Sequence, residues 1–372
     1  METKKFIDIL EIYNGKNQKS VENPDGKYPI YGSGGVMGRA DEYICPAETV
    51  VIGRKGSINN PIFVTEPFWN VDTAFGLVAR KEVLLPKYLF YFCRYFDFEK
   101  LNTTVTIPSL TKANLLKIEI PIPSIIEQKS IVTKLNLLTD MIQQRQEQLT
   151  KLDGLIKARF VEMFGDPISN PFGFKVKTLQ KMIDDGTIMY HLDGNHGSDY
   201  PRNEEFVECG VPYISANCIV HNDVNLKLAK HLTEERASKL RKGIAQNGDV
   251  LFAHNATVGP VAILYTDDEK VILGTSLTAY RCDKERMVPD YLKAYMQSEG
   301  FVRQYTKDMK QTTRNQVPIT AQRKFLFVIP PLSLQNQFAD FAAEVDKSKV
   351  EVQKALDQTQ LLFDSLMQQY FG

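Results

Sequence analysis

The side chains here that could do chemistry gather in short polar loops between apolar runs. One loop carries Arg54, Lys55, Ser57, Asn59 and Asn60; a second carries Thr103, Thr104, Thr106, Ser109 and Lys112. Two hundred positions beyond the first come His254, Asn255 and Thr257, and then an unbroken polar hexamer, Gln311-Thr312-Thr313-Arg314-Asn315-Gln316. Tyr190-His191 and Asn195-His196 mark a further polar stretch. Arg, Asn and Gln are planar groups that bond bidentately to base edges, whereas Lys, Ser and Thr suit phosphates. A solvated loop has the same composition, so on residue type alone each position is a candidate and no more.

Catalytic signatures are missing. No GxxxxGK[ST] loop occurs to cradle nucleotide phosphates. Asn60-Pro61-Ile62-Phe63 approaches an Asn/Asp-Pro-Pro-aromatic motif but lacks its second proline. Gly32, Gly34, Gly35 and Gly38 miss the spacing of a dinucleotide fingerprint and read as a turn. Cys218 and His221, with Cys209 near, do not complete a four-ligand metal set. His191 and His196 have no general-base partner visible in the sequence. Trp69 reads as a core residue, with base stacking the alternative. The expectation is a non-catalytic protein without metal or cofactor.

The elements that must hold these loops follow from a repeat. Apolar residues step by four and three through Ile131, Leu135, Leu138, Ile142, Leu149, Leu152, Ile156 and Met163, with Arg145 and Arg159 in the intervening slots. The same rhythm runs through Phe338, Ala342, Val345, Lys349, Val352, Leu356, Thr359, Phe363, Leu366 and Tyr370. Sustained heptads predict a coiled coil. Residue n of the first series matches n + 207 of the second, and both close alike, in Met163-Phe164-Gly165 and Tyr370-Phe371-Gly372. Arg145, Lys349 and Thr359 interrupt the seam: either their stems snorkel, or they set register or face a partner.

Both helices are introduced by prolines, in Ile120-Pro121-Ile122-Pro123-Ser124 and Ile329-Pro330-Pro331-Leu332-Ser333, and each serine is expected to cap its helix. Before each helix lies a strand-rich segment. Residues 42–64 and 247–265 both read as strand, glycine turn, strand, and Pro86 and Pro289 each open a short aromatic-rich helix. The predicted fold is α+β: two similar mixed domains separated by two long helices that form an antiparallel coiled coil, a tandem repeat with pseudo-twofold symmetry. Expected boundaries are 1–123 and 166–332 for the domains, 124–165 and 333–372 for the helices. About 39 residues of helix span roughly 58 Å, equal to about 17 bp of duplex.

Bulk composition permits this and adds little. The chain has 372 residues, 43% hydrophobic and 24% charged, with 45 basic residues against 45 acidic. Zero net charge argues mildly against a nucleic-acid ligand, so any DNA-facing surface must come from spatial sorting of charge. The C-terminal stretch, 333–372, is the most acidic. Five scattered cysteines without a CxxC pair, and no apolar run of spanning length, predict a cytoplasmic protein.

Several stretches resemble the specificity subunits of type I restriction-modification systems. YPIYGSGGVMG (28–38), VVIGRKGSINNP (50–61) and FWNVDTAFGL (68–77) are similar to a target-recognition domain. GDVLFAHNATVGPVAIL (248–264) and LGTSLTAYR (273–281) look like its second copy, and 120–138 and 329–345 resemble the openings of the family's spacer helices. The resemblance covers essentially the whole chain. It implies a subunit that binds a bipartite, asymmetric site on double-stranded DNA and recruits two methyltransferase subunits for adenine methylation. A restriction/motor subunit can join these to restrict unmodified DNA, and S-adenosylmethionine belongs to the methyltransferase partner. The residues expected at DNA are then Arg54, Lys55, Ser57, Asn59, Asn60, Thr104, Thr106 and Lys112 in the first domain. In the second they are His254, Asn255, Thr257, Thr312, Thr313, Arg314, Asn315 and Gln316. Two alternatives stay open: a specificity subunit of a methylation-only or other defence system, and a coiled-coil structural adaptor that binds no DNA. Salt-sensitive duplex binding separates the adaptor from the rest.

Overall fold

The computed structural model describes residues 2–55, 57–101, 109–309 and 315–372. The chain divides into two compact units, Met1–Gln148 with Val352–Gly372, and Leu149–Glu351.

The first unit opens with β1 (Thr3–Lys5), α1 (Phe6–Ile9) and β2 (Leu10–Asn14). Then come β3 (Tyr28–Gly32), β4 (Gly35–Ala40), β5 (Thr49–Gly53), β6 (Ile62–Val64), β7 (Trp69–Asn70) and β8 (Ala74–Ala79). Helices α2 (Pro86–Tyr95) and α3 (Lys112–Leu115), β9 (Glu119–Pro121) and the long α4 (Ile125–Phe164) follow. The central sheet has the order β2-β8-β5-β6, beside a smaller sheet β4-β3-β7 in which β3 and β7 run parallel. Strand β5 is buried throughout, as expected of a β-branched run between sheet neighbours. The turn predicted at Gly32–Gly38 is the β3–β4 hairpin, closed by the Gly32–Gly35 pair, where Gly35 has φ +115°, a region open to glycine. In 247–265 the expected glycine turn falls instead at Ala256 (φ 63°), with Gly259 inside the following strand, Thr257–Ile263.

The second unit repeats this plan with insertions. It contains β10 (Lys175–Thr178), α5 (Leu179–Asp184), β11 (Ile188–Asp193), β12 (Phe206–Val207), β13 (Val211–Ile214), β14 (Ile219–Val220) and β15 (Asp223–Val224). Next are β16 (Lys230–Leu232), α6 (Glu234–Ser238), β17 (Ile244–Ala245), β18 (Val250–Asn255), β19 (Thr257–Ile263), β20 (Val271–Leu273) and β21 (Leu277–Cys282). It ends with α7 (Pro289–Gln297), α8 (Glu299–Met309), α9 (Ile319–Gln322), β22 (Leu326–Ile329) and α10 (Leu332–Phe371). Its central sheet, β11-β21-β18-β19, matches β2-β8-β5-β6, and the side sheet has grown to β12-β16-β13-β20-β17. Register is shared as well: Val50↔Leu77 through Gly53↔Ala74 corresponds to Val250↔Tyr280 through Ala253↔Leu277.

Buried hydrogen bonds repeat too. Gln128, fully buried, accepts from the Leu85 amide (2.9 Å) and donates to the Pro123 carbonyl (3.0 Å). Gln335 does the same with Val288 (2.9 Å) and Pro330 (2.9 Å). Each clamp ties the start of an aromatic-rich helix to the start of a long one. Tyr88 packs on Phe371 at 5.1 Å in the first unit, and Tyr291 packs on Phe164 at 4.8 Å in the second. Pro86 and Pro289 stand in the first turn of α2 and α7, where a missing N–H costs nothing.

The α+β class is as predicted, and α4 and α10, 40 residues each, are in contact. In each unit they run antiparallel: Leu135 and Leu138 share a core with Phe363 and Met367, and Phe160 and Phe164 share one with Phe338 and Ala342. Every position of the predicted seam is buried or half-buried. The polar interruptions bond across the helix pair. The Arg145 guanidinium donates to the Ala355 carbonyl and the Thr359 hydroxyl, and Lys349 pairs with Asp153 at 2.9 Å. These bonds favour the register reading over simple snorkelling.

The helix starts differ from expectation at one point. Ser124 caps α4 in a reciprocal box with Glu127, its amide donating to that carboxylate at 2.9 Å, and these bonds hold the Glu127 carboxyl below its usual range. Ser333, however, lies inside α10, which begins at Leu332. The Gln128–Gln335 equivalence aligns Ser124 with Pro331, so the second copy has no hydroxyl at that place. Ser124→Ala should therefore destabilise the first unit by about 1 kcal/mol, read as a lower urea midpoint. Ser333→Ala should leave the midpoint within error.

Candidate nucleic-acid interface

The structure joins candidate loops that are distant in sequence. In the first unit, Lys55 forms an isolated antiparallel bridge with Ser109, and the Leu110 amide donates to the Arg54 carbonyl at 2.9 Å. In the second, Asn255 bridges Gln316, and the Val317 amide donates to the His254 carbonyl at 2.8 Å. The end of the central strand β5 or β18 is thus stitched to the segment leading into α3 or α9. Arg54 corresponds to His254, Lys55 to Asn255, and Ser109 to Gln316.

The side chains differ in what they can reach. Arg54, Lys55, Ser57 and Asn60 are exposed. The backbone around them is fixed: the Arg54 amide donates to Thr73 at 2.8 Å, and its guanidinium lies 5.7 Å from the Phe75 ring. A Cβ on Gly53 would meet the Ser57 carbonyl oxygen at 2.4 Å, so the loop can close only over glycine. Asn59 turns inward despite its exposure. Its amide donates to Asp97 (3.0 Å) and accepts from the Phe98 amide (2.8 Å), which makes it a loop anchor. Lys112 likewise spends its ammonium on the Ile12 carbonyl at 2.7 Å.

In the second unit Thr257 and Asn315 are exposed, Asn255 and Gln316 half-buried. The Ala256 amide donates to the Asn315 carbonyl at 3.0 Å. His254 is 1% exposed, which withdraws it from any base or phosphate. The apolar run Val250–Ala253 carries burial one residue further than the loop reading allowed. Thr104, Thr106, Thr312, Thr313 and Arg314 lie outside the described residues.

A polar network beneath the second loop went unseen in the sequence. Gln322, fully buried, uses its whole amide. Its carbonyl accepts from the Tyr280 hydroxyl (2.6 Å) and from His191 Nε2 (3.2 Å), while its nitrogen donates to Thr278 (3.1 Å) and the Val317 carbonyl (3.0 Å). The corresponding places in the first unit are apolar: Leu115, Leu77, Ile12 and Phe75. Burial, above all, pushes His191 down to about 4 and lowers His254 in the same direction. Asn195 is buried and donates to the Lys242 carbonyl at 2.7 Å, and the more exposed His196 pairs with Asp193 at 2.8 Å. Trp69 is 7% exposed and donates to the Lys16 carbonyl at 3.0 Å, so it is a core residue. Cys218 is buried, Cys209 exposed, and His221 sits at a hairpin tip with φ 51°. Among the described residues no helix is long and apolar enough to cross a membrane.

Two similar α+β units, each with a stitched polar loop at one end of its central sheet and each packed on paired long helices, define a tandem two-module protein. Residues 1–151 match the family described as the type I restriction modification DNA specificity domain. The chain is 21% identical to the type I restriction enzyme MjaVIII specificity subunit of Methanocaldococcus jannaschii, a match covering 94% of this chain and 88% of that one. The MjaIX specificity subunit of the same organism is 21% identical over 85% of this chain and 73% of its own. The type I restriction-modification S subunit from M. genitalium has a similar fold, with a TM-score of 0.63, 16% identity, and coverage of 100% of this chain and 96% of that one. A structure solved for complex assembly and conformational transition of the type I system aligns with a TM-score of 0.56 and 15% identity, over 99% of this chain and 97% of the other. The resemblance to type I specificity subunits carried by the sequence motifs is thereby borne out.

Proposed function

We propose that this chain is the DNA sequence-recognition subunit of a type I restriction-modification complex. Residues 1–123 and 166–332 each read one half of a bipartite, asymmetric duplex site, and 124–165 and 333–372 form the spacer. The chain itself is non-catalytic. It recruits two methyltransferase subunits, which hold S-adenosylmethionine and methylate adenine, and a restriction/motor subunit completes the system in the cytoplasm. The observation that carries this reading is the stitched loop, built by the same two backbone contacts in both units and furnished with different side chains. One scaffold with two unlike surfaces suits a ligand with two unlike halves.

Methylome sequencing of a host that expresses the chain with its methyltransferase subunit tests the proposal. The expected result is methylated adenine in a split asymmetric motif, lost when this chain is deleted. A methylome that does not change with the chain, while the methyltransferase is expressed, would favour the adaptor. Binding of the full chain to duplex DNA should also weaken steeply as salt rises, because phosphate contacts release counterions.

A further inference from the structure

Among the described residues, the equivalent loops of the two units present different chemistry. At the first, Arg54 and Lys55 are exposed cations, and among the described residues neither side chain makes a hydrogen bond or ion pair. At the second, the place of Arg54 is taken by the buried His254, and the bridged pair consists of two amides, Asn255 and Gln316. Guanidinium and ammonium groups only donate, which matches the two acceptors, O6 and N7, that guanine shows in the major groove. A carboxamide donates and accepts at once, which matches adenine N6 and N7. The loops are also held rigidly enough to read an edge: each has its backbone fixed to the following segment, and Arg54 is fixed to Thr73 as well.

Resting on the proposed function, we infer which side chains set each half-site: Arg54 and Lys55 select guanine in one, and Asn255 and Gln316 select adenine in the other. Because the stitched scaffold is common to both, base preference is set by the side chains at these four places and is transferable between them.

The test is selection of duplexes from a randomised library by the full chain, followed by sequencing of the bound pool. Wild type should enrich two half-motifs. Arg54→Gln or Lys55→Gln should cut the preference for one guanine about ten- to hundredfold and spare the other half-motif. Asn255→Ala or Gln316→Ala should do the same for one adenine in the other half. Asn255→Lys, which installs the first unit's residue in the second, should shift that position from adenine towards guanine. Unchanged half-motifs in the cation variants overturn the inference. So does a uniform loss of affinity with the motif intact, since that is the mark of a phosphate contact. Failure of wild type to enrich any motif removes the proposed function itself. Arg54 and Lys55 are exposed, so their variants should melt like wild type, and the Asn255→Lys exchange gains a preference that misfolding cannot produce.

Discussion

Gln322→Ala should destabilise the second unit by about 3–5 kcal/mol. The side chain is fully buried and makes four hydrogen bonds, to Tyr280, His191, Thr278 and the Val317 carbonyl. Truncation leaves each partner without its bond in a place water reaches poorly, and every such loss costs about 1–3 kcal/mol, less than additively. A cavity adds to this. Gln322→Leu separates the two contributions. It restores the residue that the first unit uses at Leu115, fills most of the volume, and still strands Tyr280 and His191. Urea unfolding should therefore rank wild type above Leu, and Leu above Ala. If Leu equals wild type, the network contributes no net stability. Because the Val317 bond also anchors the segment that carries Gln316, Gln322 is a positioning residue for the proposed adenine contact. Its Leu variant should blur that half-motif and leave the other sharp, which general destabilisation would not do.

The repeat, the strand-turn-strand segments and the helical seam were legible because they rest on periodicity and on motifs repeated along the chain. The seam buries or half-buries all of its predicted residues, although Phe160, Phe164, Met367 and Phe371, which complete the packing on either flank, lie off the strict a/d rhythm. What sequence could not show is which loops meet. The pairing of Lys55 with Ser109, and of Asn255 with Gln316, is a tertiary contact with no local signature. A signal for the Gln128 and Gln335 clamps was present, since both glutamines keep the offset of the seam, but polarity argued for the surface and burial won through complete hydrogen bonding. His254 shows the opposite error. Its residue type suggests a ligand contact, yet it continues a buried strand run. The paired serines misled because the two Pro-rich approaches differ in length by two residues, which shifted Pro331 into the capping place.

Acid should weaken the second unit before most of its carboxylates titrate. His191 is 6% exposed and its folded pKa stands at about 4, against an ordinary 6.5. The main cause is burial; the Gln322 bond and Asp193 oppose it, while Arg323 and His254 reinforce it. The unfolded chain thus takes up a proton at a pH where the folded chain refuses it. Stability is fully present above about pH 6.5 and declines as pH falls towards 4, by about 3 kcal/mol from this residue alone. His254 is lowered too, again chiefly by burial, and steepens the same window. Asp185, held down to about 2 despite desolvation by bonds from Lys177 and Thr187, loses its contribution only below about pH 4, so the two processes separate. Asp290 acts in the opposite sense. Burial raises it, and its protonation favours the folded state as pH falls. Urea midpoints at pH 7, 6 and 5 measure the effect, and His191→Gln, which cannot titrate, should flatten the slope by close to one proton. An unchanged slope in that variant would mean that His191 is already charged in the folded chain. The Gln322 carbonyl would then be a partner to a cation, and the whole network beneath Gln316 would be organised around a buried charge.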